Sequence, residues 1–408
     1  MYAFLALPRY TVPLPWLVAL ALLPLPAQAE IVEGEGIALR AEQQWQYDNN
    51  LYRLPDGFPA GTDGRDDWLS ITRTIARIDY RPSRQWLFAD AEYGWYRYSE
   101  HSDLDYKAPR FNGGWNWELG RRWQGELGYS YRESAADFEG IGSSARGSNS
   151  FNRSRASVDF RLDPDWWLGA GAEQIRNRYS YDTRTDSGYD ALTYEGRFSF
   201  RPSSGNRIGL SLRHTDGERP HVESGQGSIR DYRQRDYRLG GRWRWTGDSG
   251  LDGYLGYSER TYPAASQFDF DGITGKLQWR WQATGKLALA SHIRREIGAE
   301  EDENEQLANY AITEALGLNL GYALSAKWQL GTMGELKWRK LRVADSALVE
   351  GSGQRGQEFL PQVAINVSYR PYRWLSAGLA QQWLWRDSRI ELRDYDAALT
   401  SATLAVLF

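Results

Sequence analysis

The sequence predicts an all-β protein: a transmembrane antiparallel β-barrel of about 18 strands with a cleaved signal peptide. Three observations lead to this prediction. Apolar and polar side chains alternate along most of the chain, which is the period of a strand with two different faces. Short turn sequences recur along the chain, and its last residues form a strand-like run that stops on Phe408.

Residues 1–29 have the pattern of a secretory signal peptide. A positive charge precedes an apolar core at 16–23, and Ala27-Gln28-Ala29 forms a small-x-small cleavage site. An uncleaved anchor is the alternative, but the apolar run is shorter than the ~20 residues of a membrane-spanning helix. We therefore expect residues 30–408 to form the mature chain, folded as one outer-membrane β-barrel.

The composition limits the possible classes of protein. Mean hydropathy is −0.64 while aromatic residues reach 14%, so apolar side chains are dispersed among polar ones. Disordered chains also have low hydropathy, but they are poor in aromatic residues. The chain has no cysteine, which removes disulfides and thiolate metal sites. A net charge of −4 provides no bulk basic surface, so we expect no nucleic-acid partner.

The alternation is clear in residues 207–213. Ile208, Leu210 and Leu212 fall on one face, whereas Ser211 and the flanking arginines fall on the other. The same pattern recurs at 124–131, 192–201, 276–281 and 359–369. Each of these segments is predicted to be a strand with one apolar and one polar face.

Eight short turn sequences separate pairs of such strands, at 81–84, 119–122, 163–165, 202–206, 247–250, 283–286, 324–327 and 370–373. Longer polar stretches lie between successive turns. With both termini on the short-turn side, this order gives an even number of strands, as single-chain outer-membrane barrels have. The predicted strands are 37–50, 68–80, 86–98, 109–119, 124–134, 152–162, 166–179, 189–201, 206–216, 230–245, 251–262, 269–281, 286–297, 308–322, 327–341, 356–369, 374–386 and 394–407.

A β-propeller has a similar repeat length, but each blade packs four short strands into it. A soluble sandwich would not place charges in the middle of so many long strands. In lipid, every backbone polar group must be paired within the protein, so the sheet must close. Aromatic residues beside the short turns predict a girdle at the periplasmic interface: Tyr80, Trp86, Trp123, Trp166, Trp328 and Trp374.

If the apolar face meets lipid, the polar face lines a lumen. The basic candidates on that face are Arg73, Arg77, Arg153, Arg155, Arg161, Arg197, Arg213, Arg238, Arg242, Arg244 and Arg280, and the acidic ones are Asp79, Asp90, Glu92, Glu118, Glu126, Asp159 and Glu195. One interpretation is a pore surface for a polar, acidic sugar polymer, because arginine offers a planar fork to carboxylates. The alternative is that arginines and acids pair across strands and brace the wall.

The tail residues Leu404, Val406 and Phe408 share one strand face, and we expect them to form the membrane-assembly signal. Val406 occupies a position that is often aromatic in such barrels.

No motif predicts catalysis. The four histidines show neither a catalytic arrangement nor helical metal-binding spacing. The acidic run 300–303 in a predicted outer loop suits either Ca²⁺ binding or simple solvation. We expect no enzyme activity, no cofactor and no resident metal.

Several segments resemble the EpsL-like outer-membrane proteins of exopolysaccharide operons, within the wider β-barrel porin 2 group. They are Asp48–Asp56, Ser83–Gln85, Trp115–Trp123, Pro202–Leu210 and His214–Pro220. The resemblance is clearest before residue 220 and carries no catalytic residues. It implies a role in the export or assembly of an extracellular polysaccharide at the bacterial outer membrane.

Three other function classes stay open: a general or substrate-specific diffusion porin, a non-conducting scaffold that binds polysaccharide or secretion partners, and an outer-membrane enzyme. The partners expected for the export function are the extracellular polysaccharide, outer-membrane lipid and lipopolysaccharide, the barrel assembly machinery and periplasmic secretion components.

Overall fold

A computed structural model describes residues 36–55, 57, 64–135, 147–180, 188–220, 231–298, 310–342, 356–389 and 393–408. The predicted signal peptide and the acidic run 300–303 lie outside these residues. In the described part of the chain, no helix has the length and apolarity needed to cross a membrane.

The described residues form one 18-stranded antiparallel sheet that closes on itself, because β1 pairs with both β2 and β18. The strands are β1 (Gly36–Asp48), β2 (Asp67–Tyr80), β3 (Trp86–Tyr98), β4 (Tyr106–Leu119), β5 (Trp123–Ala135), β6 (Ser148–Arg161), β7 (Trp166–Tyr179), β8 (Tyr189–Phe200), β9 (Arg207–Glu218), β10 (Asp231–Arg244), β11 (Ser249–Thr261), β12 (Phe270–Gln282), β13 (Leu287–Ile297), β14 (Tyr310–Ala323), β15 (Trp328–Arg342), β16 (Gly356–Tyr372), β17 (Leu375–Ser388) and β18 (Tyr395–Leu407). The predicted all-β barrel, its strand number and its turn order are confirmed.

The barrel closes where the first strand meets the last. Arg40 lies opposite Leu407 in this seam. The Phe408 N–H donates to the Leu39 carbonyl at 2.7 Å, and the Leu39 N–H donates back to the Phe408 carbonyl at 3.3 Å. Among the strands that the structure describes, no edge is therefore left unpaired, which is the condition for a sheet in lipid.

The motif beginning at Asp48 reinforces this seam at the long-loop end. The Asn50 side chain donates to the carbonyls of Leu54 and Asp396, each at 2.9 Å. The Ala398 N–H donates to the Asn49 side chain at 2.7 Å. These bonds link the end of β1 to the start of β18, so this part of the motif has an architectural role.

The two faces of each strand differ as the alternation predicts. On β9, Leu210 and Leu212 are exposed large apolar residues, at 60% and 61% of their surface. Ser211 lies on the opposite face, in register with Arg197 of β8 and Arg238 of β10. An apolar exterior thus surrounds a polar, arginine-rich interior, the arrangement of a transmembrane barrel.

One residue of the predicted aromatic girdle faces the wrong way. Tyr80, Trp123, Trp166, Trp328 and Trp374 are exposed, as expected for the girdle. Trp86, however, lies in register with the inward Asn116. The Arg81 guanidinium lies over the Trp86 indole, 4.9 Å from the centroid of that ring. The next residue, Leu87, takes the outward position, so the girdle prediction is wrong for Trp86.

Strand ends also differ from the predicted bounds. The predicted turn at 370–373 is mostly strand, because β16 continues to Tyr372. A register shift between Tyr369 and Tyr372 accommodates the added residues. β6 begins at Ser148, before the predicted start at residue 152.

A glycine on β11 is required by close packing of strands. Gly253 has a φ of +149°, and a Cβ added there would lie 1.9 Å from the backbone oxygen of Lys276. We expect Gly253→Ala to destabilise the barrel by about 1 to 3 kcal/mol, because the backbone must shift or remain strained. The matched control is Gly196→Ala, where the added methyl meets no atom within 4 Å. Urea unfolding followed by tryptophan fluorescence measures both; equal midpoints would contradict this prediction.

Candidate functional site

All eleven arginines predicted to line the lumen lie at inward positions of their strands. Arg73 and Arg77 lie on β2, Arg153, Arg155 and Arg161 on β6, Arg197 on β8, Arg213 on β9, Arg238, Arg242 and Arg244 on β10, and Arg280 on β12. The register aligns these positions across the sheet: Arg213, for example, lies between Glu195 and Asp236. The predicted acidic residues occupy the same inward face.

A charge cluster links β6 and β8 across the strand between them. The Arg197 guanidinium lies 3.1 Å from Asp159 and 2.8 Å from Glu195. Arg201 also reaches Asp159, at 2.9 Å. β7 passes beneath this cluster with Gly169, where an added Cβ would lie 2.1 Å from the Asp159 carboxylate. The missing side chain therefore creates the space in which Asp159 and Arg197 meet.

Replacing Gly169 tests this arrangement. We expect Gly169→Val to displace the Asp159 carboxylate while the barrel stays folded. The loss of stability should be about 1 to 3 kcal/mol, because the Arg197 and Asp159 side chains are only 22% and 13% exposed and displacement leaves these charged groups without their partners. Urea unfolding followed by tryptophan fluorescence measures this loss. Ala170→Val adds similar bulk on the lipid face and should change nothing; an equal effect of both variants would contradict the prediction.

Most of the predicted arginines do pair with acids, as the bracing interpretation requires. Arg153 pairs with Glu173 and Arg155 with Glu126, each across neighbouring strands. Arg242 donates to Asp252 at 3.0 Å. Three pairs are looser: Arg77 lies 3.5 Å from Asp90, Arg213 lies 3.8 Å from Glu173, and Arg238 lies 3.5 Å from Asp236. Arg73 bonds Glu42 at 2.6 Å.

Some inward arginines have other partners. Arg161 donates to the Pro164 carbonyl at 2.9 Å, and Arg280 donates to the Gln278 side chain at 2.7 Å. Within the described residues, neither of these two, nor Arg207 or Arg244, has a carboxylate within 4.0 Å. Arg207 was not among the predicted candidates, although its alternation with Ile208 places it on the inward face.

Two adjacent cavities follow the inner wall formed by these strands. The first has a volume of about 310 Å³ and lies beside Arg153, Arg155, Arg213 and Asp236. The second, of about 200 Å³, lies towards the short-turn end beside Arg201 and Arg207. Both are lined by Glu195, Arg197, Arg238 and Tyr254, so they adjoin along one face of the lumen.

The inward charge differs between sectors of the wall. On β6 to β12, basic residues outnumber acidic ones: Arg153, Arg155, Arg161, Arg197, Arg207, Arg213, Arg238, Arg242, Arg244, Arg260, Lys276 and Arg280 against Asp159, Glu173, Glu195, Asp236 and Asp252. On β1 to β5 the acids predominate: Glu42, Asp48, Asp67, Asp79, Asp90, Glu92, Glu118 and Glu126 against Arg40, Arg73, Arg77, Arg110 and Arg132. The first group is called the basic sector and the second the acidic sector.

The tail residues Leu404, Val406 and Phe408 lie at outward positions of the closing seam, and Phe408 is 75% exposed. Their role as an assembly signal stays a prediction.

No protein-family model matches the chain, and no curated protein matches it. Solved structures with a similar fold include the outer membrane protein OpdK of Pseudomonas aeruginosa, at 15% identity and a TM-score of 0.49, covering 91% of this chain and 99% of that one. OccK2 (OpdF) of the same organism has 13% identity and a TM-score of 0.48, with 91% and 97% covered. The alcaligin outer membrane receptor FauA of Bordetella pertussis has 12% identity and a TM-score of 0.38, with 92% and 76% covered.

The chain is a β-barrel of the bacterial outer membrane. The sheet is closed, its outward positions carry exposed apolar and aromatic side chains, and its inward positions are polar. A lipid environment accommodates such an exterior, and an even number of strands is the rule for the single-chain barrels of the bacterial outer membrane.

Proposed function

We propose that this barrel is a diffusion channel that prefers small anionic solutes. The observation that carries the proposal is the basic sector on β6 to β12, whose arginines border two adjoining cavities on the inner wall. A barrel of this strand number is wide enough for an aqueous lumen. A wall lined by one sign of charge concentrates solutes of the opposite sign and increases their rate of entry.

The ion pairs in the basic sector suit passage rather than retention. Asp159 orients Arg197 and Arg201, and Asp252 orients Arg242, so the guanidinium groups have defined positions. The Asp252 side chain is 39% exposed, and exposed ion pairs are worth only about 0 to 1 kcal/mol. A carboxylate in transit can therefore exchange with Asp252 at Arg242 and leave again, whereas the largely buried Asp159 keeps its arginines in position. Bracing and conduction are compatible roles for the same residues.

Polysaccharide export, which the sequence resemblance implies, stays a prediction. Aromatic side chains would help sugar units to slide, but most tryptophans of the described strands face lipid. Trp86 and Trp167 are the inward tryptophans among those strands, and each lies beside a short turn. The inward aromatic residues also include tyrosines such as Tyr96, Tyr106 and Tyr254. The arginine-rich wall is the stronger feature, and it supports passage of small charged solutes. The non-enzyme prediction likewise stays a prediction.

Ion selectivity of the purified barrel tests the proposal. In planar bilayers with a KCl gradient, we expect a reversal potential of the sign that shows preference for chloride. The preference should weaken as the salt concentration rises, because salt screens charges that face water. A potassium-selective or non-conducting barrel would overturn the proposal, and a non-conducting one would favour the scaffold function.

A further inference from the structure

The inner wall of the second cavity has a floor of small residues. Ser199 of β8 lies opposite Gly209 of β9, which lies opposite Gly240 of β10. These positions are tight as well as small, since a Cβ at Gly209 would lie 2.6 Å from the Phe198 carbonyl oxygen. The three residues thus form a flat row across neighbouring strands, from which no long side chain enters the lumen. We call it the floor.

Arginines border the floor along both of its long edges. The upper row lies two residues from the floor towards the long-loop end of each strand, and it consists of Arg197, Ser211 and Arg238, in register with one another. The lower row lies two residues from the floor towards the short turns, and it consists of Arg201, Arg207 and Arg242. Arg207 and Arg242 are directly opposite, and Arg201 follows β8 in the same hairpin. The two rows are four residues apart, or about 13 Å along an extended strand. Five of these six residues line the second cavity. Arg242 does not, but its partner Asp252 does.

Stacking fixes the ends of the two rows. The Arg201 guanidinium lies over the Trp167 ring, 4.8 Å from its centroid. The Arg238 guanidinium lies over the Tyr254 ring at 4.2 Å. Such cation–π contacts hold a guanidinium in place without neutralising it, so its N–H groups remain directed and charged.

The local charge balance leaves room for anions. Asp159 is shared by Arg197 and Arg201, and Glu195 also pairs with Arg197. Asp236 pairs with Arg238, and Asp252 pairs with Arg242. Arg207 is exposed and has no carboxylate within 4.0 Å among the residues that the structure describes. Positive charge therefore exceeds negative charge along the lower row, and Arg207 is its most accessible fork.

We infer that this site binds a linear dicarboxylate, with one carboxylate at each arginine row and the connecting carbons over the floor. Arginine presents paired N–H donors that match a carboxylate in bidentate geometry. The separation of the rows favours acids with several methylenes between their carboxylates over short ones such as malonate. The inference rests on the proposed channel function and names its preferred solute class.

The test compares adipate with hexanoate, which has the same number of carbons but one acid group. Single-channel current in KCl is recorded as each acid is added, and adipate should block transiently at lower concentration. Arg207→Gln should weaken the adipate block about tenfold, the loss expected for one charge-assisted hydrogen bond. Arg207→Lys, which keeps the charge but loses the fork, should give an intermediate loss.

The matched control is Arg244→Gln. Arg244 also lies at an inward position of β10, and its replacement removes one charge outside the second cavity. Both glutamine variants should reduce chloride preference to a similar degree, but only Arg207→Gln should affect the adipate block. Equal loss of the block in both variants, or equal block by adipate and hexanoate, would overturn the inference. Chloride selectivity without either acid is a separate readout that tests the channel proposal itself.

Discussion

Leu210→Arg is expected to leave most of the protein outside the membrane. Leu210 is 60% exposed on the outward face of β9, between the outward Phe198 and Leu239 of the neighbouring strands. The apolar stretch of this face is Ile208 to Leu212, and His214 and Asp216 follow it. An arginine near the middle of the bilayer costs about 2 to 4 kcal/mol, a large part of the stability of most folded proteins.

The measurement is heat modifiability, since a folded barrel and an unfolded chain migrate differently in detergent gels. The control is Ser211→Gln, one residue further along the same strand. Glutamine suits this inward position better than arginine, because Ser211 lies between Arg197 and Arg238. If Ser211→Gln impaired folding more than Leu210→Arg, the inward and outward faces of β9 would be the reverse of those described.

Replacing Arg155, Arg238 and Arg242 together by glutamine is expected to abolish or reverse anion preference. Each replacement removes a positive charge and leaves its acidic partner behind: Glu126, Asp236 and Asp252. The basic sector thereby loses much of its positive excess, and the freed carboxylates attract cations. The barrel should stay folded, because glutamine remains polar on the inward face.

The reciprocal variant neutralises the partners, as Glu126→Gln, Asp236→Asn and Asp252→Asn. It should strengthen chloride preference, measured as a reversal potential in the same salt gradient. If the arginines only brace the wall, the first triple variant should instead unfold at a lower temperature and keep its ion preference. That result would remove these arginines from the transport mechanism.

The fold was predictable because its two strongest signals are local. Period-2 alternation, as in Ile208 to Leu212, assigns each side chain to a face from the sequence alone. Turn sequences then set the number of strands. The same alternation assigns Arg207 to the interior, so the sequence pattern was sufficient to include Arg207 among the lumen-lining arginines.

The face of Trp86 was also predictable, because Trp86 lies four and six residues before Asp90 and Glu92, which the alternation assigns to the interior. Other features depend on information that a single sequence does not contain. The contact of Asp159 with Arg197 joins strands that are not neighbours in the sheet. It depends on the register of β7 against both strands and on the space at Gly169, which are properties of the assembled wall.

The separation of basic and acidic sectors has a consequence for solutes that carry both signs of charge. We expect a zwitterion such as an amino acid, when it enters the proposed channel, to turn its carboxylate towards β6 to β12 and its ammonium group towards β1 to β5. With these two groups and the direction of travel fixed, mirror-image molecules present their third substituent to different parts of the wall. We expect liposomes containing the barrel to swell at different rates in L- and D-amino acids. Equal swelling rates would show that the channel does not distinguish the two mirror-image forms.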